Sequence, residues 1–233
     1  MKSISLDLSN KADLALVGHL AWIIQTEANA LGIPIFMAGA MARDLILAYG
    51  HGIDTGRKTA DVDWAMMVNT WDEFEALKAH LVSTGEFSTQ EPAHRLMYGN
   101  SLVIDLIPFG GIADEKGIIS WPPEHHTVMT VLGFDEAYKN TLKAKLPGGA
   151  EISVISLPAL ALLKLFAWNE RHVLAPRKDA HDFALIARNY IDAGNQDRLY
   201  EEFSHLLDEA DFDYGVAGAR MLGCDIARIA SSV

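Results

Sequence analysis

Cysteine is almost missing from this chain of 233 residues: Cys224 stands alone, which excludes an internal disulfide framework. It follows Met221, Leu222 and Gly223 in an apolar run, so a core thiol is expected. Long hydrophobic runs are missing too. Half of the residues are hydrophobic, enough for a real core, yet no segment reaches the roughly 20 residues that a membrane span needs. The opening residues Met1 to Asp7 carry no apolar signal-peptide stretch, and the expected location is cytoplasmic, with no membrane partner. Basic clusters are scarce. Lys and Arg number 19 against 31 acids, a net charge of −12. Residues 1–155 hold 11 basic against 19 acidic side chains, and residues 156–233 hold 8 against 12. No basic cluster exceeds Arg57-Lys58 or Arg177-Lys178. Non-specific polynucleotide binding, which calls for a basic face, is therefore not expected. The field suits a small cationic ligand or a basic protein partner. Repeats and low-complexity tracts are absent.

What the chain does have is a set of carboxylates in apolar settings. Thr59-Ala60-Asp61-Val62-Asp63-Trp64 runs on into Ala65-Met66-Met67-Val68, which reads as a buried strand. Residues two apart on a strand share a face, so Asp61 and Asp63 converge. Leu102 to Ile107 is a second apolar strand with Asp105 in its middle. If these strands are neighbours, three acids meet, a costly arrangement unless a cation compensates it. Hard oxygen ligands of this kind suit magnesium or manganese. Two such ions, about 3.5–4 Å apart, can clamp the attacking and leaving oxygens of a phosphoryl displacement. An isolated Asp-x-Asp is more often a strand end or a turn. Asp105 inside an apolar run is the stronger sign, because acids are rarely fully buried without a partner.

Upstream, Ile33 to Ala38 reads as a strand, and Gly39 and Ala40 allow a sharp turn with close approach to a ligand. A helix beginning near Met41 would point free N–H groups at that turn, as anion sites do. An ordinary strand-to-helix turn fits the same residues. Further on, Ser156-Leu157-Pro158 is a helix start, with a polar cap and an early proline. The helix to Arg171 is almost wholly apolar except for Lys164. That lysine either snorkels to water or faces a polar cleft. Lys178, Asp179 and Asp182 follow Ala175-Pro176 at the next helix start. Acids in a first turn also simply favour the helix dipole.

The remaining organisation is simple. Asn10 can cap a helix that runs to Ala30 and ends at Gly32. Thr70 begins another through Thr84, closed by Gly85. Residues 94–107 read as a hairpin turning at Gly99-Asn100. Gly110-Gly111 could let a loop pass near the acids. Pro147-Gly148-Gly149 is a turn between strands. From Ser156 onward only helices are expected, with turns at Ala175-Pro176, Gly194 and Asp213. His125-His126 are adjacent, so they face opposite ways on a strand and make a poor metal site.

In this order, the small turn, the helix, Asp61-Val62-Asp63 and a third Asp on a later strand resemble the DNA polymerase β-type nucleotidyltransferases. The stretch Gly39-Ala40-Met41-Ala42-Arg43-Asp44 is similar to the Gly-Gly-x-x-Arg-Asp opening of tRNA CCA-adding enzymes. Lys164 together with Lys178-Asp179-Ala180-His181-Asp182 is similar to the C-terminal Lys and Lys-Asp-x-x-Asp elements of the AbiEii-type nucleotidyltransferase toxins. The likeness spans roughly residues 33 to 190.

The resemblance implies an α/β (α+β) nucleotidyltransferase fold with a mixed sheet over residues 1–155 and a helical C-terminal domain over 156–233. It implies that Asp61, Asp63 and Asp105 ligate magnesium or manganese, with Asp105 also helping to activate the acceptor hydroxyl. Gly39 and Ala40 would cradle the phosphates of a nucleoside triphosphate, Lys164 would neutralise its charge, and Lys178 and Asp179 would belong to the same nucleotide site. Arg43 would do the same or pair with a nearby acid. The acceptor would be a tRNA end, a protein side chain or a small molecule such as an aminoglycoside. A toxin-like role would bring an antitoxin-like protein partner. One departure stands out: Ala40 occupies the place of a Ser or Gly and offers no hydroxyl to the triphosphate. A degenerate binding module of the same fold, or a phosphohydrolase using the same acids, are the competing readings.

Overall fold

The computed structural model describes residues 5–56, 61–123, 125–173, 177–209 and 211–230. Thr59, Ala60, the Arg57-Lys58 pair and the Ala175-Pro176 turn lie outside the described residues.

A strand β1 (Ser5–Asp7) opens the chain, followed by helix α1 (Ala15–Ala30). Strand β2 (Ile35–Ala38) runs directly into α2 (Gly39–Asp44), which continues as one π-helical stretch over Leu45–Gly50. Then come β3 (Asp61–Met67), α3 (Trp71–Ser83), β4 (Phe87–Gln90), β5 (Arg95–Tyr98) and β6 (Leu102–Phe109). A small antiparallel pair, β7 (Ile118–Ser120) and β8 (Val128–Thr130), precedes α4 (Phe134–Lys139). The sheet is finished by β9 (Thr141–Lys145) and β10 (Glu151–Ile155). Helices α5 (Leu157–Arg171), α6 (Lys178–Arg188), α7 (Gln196–Glu201) and α8 (Tyr214–Ala230) follow.

Among the described residues the architecture is α/β with a mixed sheet of eight strands in the order β1-β9-β10-β2-β3-β6-β5-β4. Its central pair, β3 and β6, is parallel, and β2 lies antiparallel to β3. The strands hold because their inward residues form one continuous core. On β3 that face is Val62, Trp64 and Met66, each at most 1 % exposed. Phe36, Phe109 and Phe134 meet ring to ring beside them, with centroids 5.6–6.4 Å apart, the spacing at which aromatic pairs add to burial. Helix α5 joins the C-terminal helices to this core through contacts with α2, α4, α6 and α8.

Most element expectations match, and the exceptions have local reasons. Thr70 caps α3 by accepting from Glu73 N at 3.3 Å. The hairpin turns over Gly99, Asn100 and Ser101, one residue more than read, since Tyr98 pairs with Leu102. Asn10 caps nothing, because Lys11 N is already bonded to Leu8 O and a 3-10 turn over Ala12–Leu14 leads into α1. Ser156 precedes α5 without a side-chain cap; only its carbonyl serves, accepting from Leu160 N at 2.9 Å. Strands β1, β4, β7 and β8 were not anticipated, since three or four residues carry no period. Cys224 is not a core thiol but exposed. Helix α8 buries Gly218, Met221, Leu222, Asp225 and Ile229, and at 100° per residue Cys224 falls well off that stripe.

Candidate functional site

Register brings the acids together. In the parallel pair β3–β6, Asp63 is the direct partner of Asp105. Side chains at paired positions share a face, and Asp61 joins them two residues back on β3. The opposite face of β3 is the buried core just described, so the three acids stand on the other side. Asp61 and Asp63 are half-buried, and Asp105 is buried.

The turn after β2 closes on the same spot. Ala38 pairs with Asp63, and the next residue, Gly39, has φ +66. A Cβ at Gly39 would lie 1.7 Å from Asp63 Oδ2. Glycine is therefore required twice over, by its backbone conformation and by the approach of the carboxylate. Ala40 follows, half-buried.

Electrostatics mark this place out. Burial pushes the Asp63 carboxyl up to about 6, and the charges of Asp61 and Asp105 add to the rise, while Lys164 and Lys178 oppose it. The acids thus feel one another, and both lysines lie close enough to feel them. Carboxylates with a local excess of negative charge are the donor set a hard divalent cation neutralises. The side chains present fit such an ion in kind. Among the described residues, no group of three or more His, Cys, Asp or Glu side chains is placed so that it could hold a metal ion. Arg95 engages Asp105 instead, with Nε and Nη2 each donating at 2.8 Å. Beside it, His94 is held below its ordinary value by burial, against the opposing charge of Asp105. The His94 ring packs on Trp121, with centroids 5.2 Å apart.

The C-terminal candidates form a second cluster. Lys164 is 8 % exposed, so it does not snorkel. Its Nζ lies 2.6 Å from Asp182 Oδ2 and 3.3 Å from Asp179 Oδ1. Asp179 is wholly buried and also accepts a fork from Arg171, at 2.7 Å for each bond. Burial would raise the Asp179 carboxyl, but Arg171 and Lys164 together hold it below the usual range. Asp182 is buried and bonds Arg43, which also donates to Asp44 at 2.7–2.9 Å. Asp179 and Asp182 are therefore more than first-turn acids favouring a dipole. Of the two expectations for Arg43, the ion-pair partner is the one seen here. Lys178 stands exposed at the start of α6.

Sequence reasoning passed over Arg95, Arg171 and His94. For Arg95 the signal was partial: a two-residue turn at Gly99-Asn100 sets it opposite Ile104, and only a third turn residue, Ser101, brings it opposite Asp105. Gly110-Gly111 does not approach the acids. Cβ atoms there would meet Met67, Val68 and Asn69.

No protein-family model matches the sequence. No curated protein matches it either. Among solved structures, the chain is similar to the antibiotic-resistance factor ANT(2'')-Ia in complex with adenylyl-2''-tobramycin, at 15% identity and TM-score 0.49, over 93% of this chain and 98% of that one. An antigenic nucleotidyltransferase-like protein from Paracoccidioides brasiliensis is similar at 16% identity and TM-score 0.48, over 86% of this chain and 92% of that one. A CCA-adding enzyme with ATP shares 16% identity at TM-score 0.30, over 92% of this chain and 52% of that one. Identities this low concern the course of the backbone and not the chemistry of any side chain.

Proposed function

We propose that this chain is a nucleotidyltransferase, moving a nucleoside monophosphate from a nucleoside triphosphate to a hydroxyl and releasing pyrophosphate. The observation that carries this reading is the convergence of Asp61, Asp63 and Asp105, with the Asp63 carboxyl driven up to about 6 by burial beside the other two. A site that concentrates three carboxylates next to a tight glycine turn is suited to cationic metal and polyphosphate together. Asp61, Asp63 and Asp105 would hold magnesium or manganese, which when bound supplies charge neutralisation for the triphosphate.

The remaining roles belong to the chain. Gly39 and Ala40 offer backbone N–H groups to the phosphates. Asp105 takes the proton of the acceptor hydroxyl as its oxygen bonds to the α-phosphorus. The bond from that phosphorus to the bridging oxygen breaks, and pyrophosphate leaves with the electron pair. Lys164 and Lys178 set the positive side of the field, Lys164 from between Asp179 and Asp182. Arg43 acts inside the protein, on Asp44 and Asp182. We divide the chain into a catalytic part, 1–155, and a helical part, 156–233, with the substrates between them.

The net charge of −12 favours a small cationic acceptor over a tRNA end. A toxin-like role with an antitoxin-like partner is the finer reading, and it rests on the resemblance of Lys164 and Lys178-Asp179-Ala180-His181-Asp182 to the toxin elements. A degenerate nucleotide-binding module is the second reading, favoured by Ala40. Incubation with each labelled triphosphate, magnesium and a panel of small hydroxylated cations tests the proposal. Label should move to an acceptor with release of pyrophosphate. Asp61→Asn and Asp63→Asn should each lower the rate by about a thousandfold, the scale of losing electrostatic stabilisation of the transition state. Triphosphate binding without turnover would favour the binding module, and equal turnover in both variants would refute the site.

A further inference from the structure

Both oxygens of Asp105 are taken by one side chain. Arg95 Nε donates to Oδ1 and Nη2 to Oδ2, the two-point fork that makes arginine–carboxylate pairs strong and directional. The pairing is built into the sheet: Arg95 on β5 stands directly across from Asp105 on β6. The backbone is anchored there as well, since His94 O accepts from Leu106 N at 2.9 Å. The guanidinium also faces the rest of the site. It is held above its ordinary value first by the bonds to Asp105, then by the charges of Asp105, Asp61 and Asp63. Yet its side chain is 34% exposed while that of Asp105 is 12% exposed. Arg95 has water beside it to swing into, and Asp105 has little.

We propose that Arg95 is a latch on Asp105, a positioning residue that occupies both carboxylate oxygens and surrenders them only to a divalent ion. A guanidinium and a dication cannot share this carboxylate without repelling each other, so they compete. The apparent affinity of the resting chain is lowered by the work of opening the latch. The latch rests on the reading of these acids as metal ligands.

The test is manganese titration of the full chain without nucleotide, followed by electron paramagnetic resonance of the free ion. Arg95→Met should bind manganese roughly tenfold more tightly than wild type, the low end of what charge-assisted hydrogen bonds are worth. Arg95→Lys separates the fork from the charge. It keeps the positive charge but cannot hold both oxygens, so its affinity should also rise, by less. An Arg95→Lys affinity equal to wild type would mean simple charge repulsion and would overturn the latch. So would an Arg95→Met chain that binds no more tightly, or manganese binding to neither. Damage to the fold moves affinity downward, the opposite sign, and if Arg95→Met does not fold, Arg95→Lys decides alone. Asp61→Asn/Asp63→Asn with Arg95 intact tests the underlying reading separately: undiminished manganese binding there would refute the metal site, whatever Arg95 does.

Discussion

Two regions of the molecule bury aspartate and reach opposite results. On the sheet, Asp63 lies among acids, and its carboxyl rises to about 6. Between the C-terminal helices, Asp225 is enclosed by donors. Arg198 donates to it at 2.8 and 2.9 Å, Tyr190 Oη at 2.5 Å and Arg228 at 2.9 Å. Burial alone would raise Asp225 too, but the bonds from Arg198 and Tyr190 outweigh it and hold the carboxyl below its usual range. Desolvation is the same force in both places. The difference is which charges prevail around the acid. Around Asp225 the donors prevail, and the acid binds helices together. Around Asp63 burial and the neighbouring acids outweigh Lys164 and Lys178, at a cost to the fold.

The largest effect should come from breaking the closed region. Asp225→Ala leaves Arg198 and Tyr190 without their shared acceptor and should destabilise the chain by about 3 kcal/mol, read as a lower midpoint in urea. A loss under about 0.5 kcal/mol, the ordinary range for surface changes, would erase the contrast. Lys164→Met comes next. It removes a cation from between Asp179 and Asp182, but Arg171 and Arg43 remain on those acids. About 2 kcal/mol of stability should be lost, in the range of hydrogen bonds to charged groups. Triphosphate affinity measured by calorimetry should fall with it, and an unchanged affinity would make Lys164 purely a strut.

The smallest effect has the opposite sign. Asp63→Asn should stabilise the chain in a chelator at pH 7 to 8. A rise from 3.8 to about 6 amounts to at most ~3 kcal/mol at 1.36 kcal/mol per pH unit, and about 1–2 kcal/mol after solvent screening. Because the folded value lies above the unfolded one, the folded state binds the extra proton. The stabilisation from protonated Asp63 is therefore complete below about pH 4 and lost as pH rises through about 6. Asp225, depressed, behaves in reverse: its contribution is present above about pH 4 and fades as pH falls further. Urea midpoints of wild type and the two variants from pH 3 to 8 should show these opposite slopes. Parallel slopes would mean that the two acids share one environment.

Much of this geometry was legible in the residues, for reasons that differ by element. The carboxylate face followed from the period of two on Asp61-Val62-Asp63 and from Asp105 in its apolar run. The pairing of β3 with β6 could only be supposed, because parallel neighbours are joined through intervening helix and hairpin and leave no local trace. Gly39 was singled out for flexibility; that its missing side chain is the space filled by Asp63 became visible only once Ala38 lay opposite that residue. The partners of Lys164 were hidden for a similar reason. A lysine in an apolar helix is ambiguous until the next helix is placed, and that placement brings Asp179 and Asp182 to it. Cys224 misled because an apolar run of four residues is shorter than the stripe that decides which side of a helix is buried.

The strand order also has a consequence in time. Strand β2 lies between β3 and β10, and all four of its residues are buried. Its partner β10 begins more than a hundred positions later, at Glu151. During synthesis, β2 can pair early with β3, while its other edge waits for the turn at Pro147-Gly148-Gly149 to deliver β10. An uncovered apolar edge is a template for pairing with a neighbouring chain, and distant strand partners are slow to meet. A nascent or truncated chain that stops before residue 151 should therefore be drawn to chaperones or to aggregates. Release from that hazard coincides with the arrival of the final strand, before the helices that carry Lys164 and Asp225 have been made.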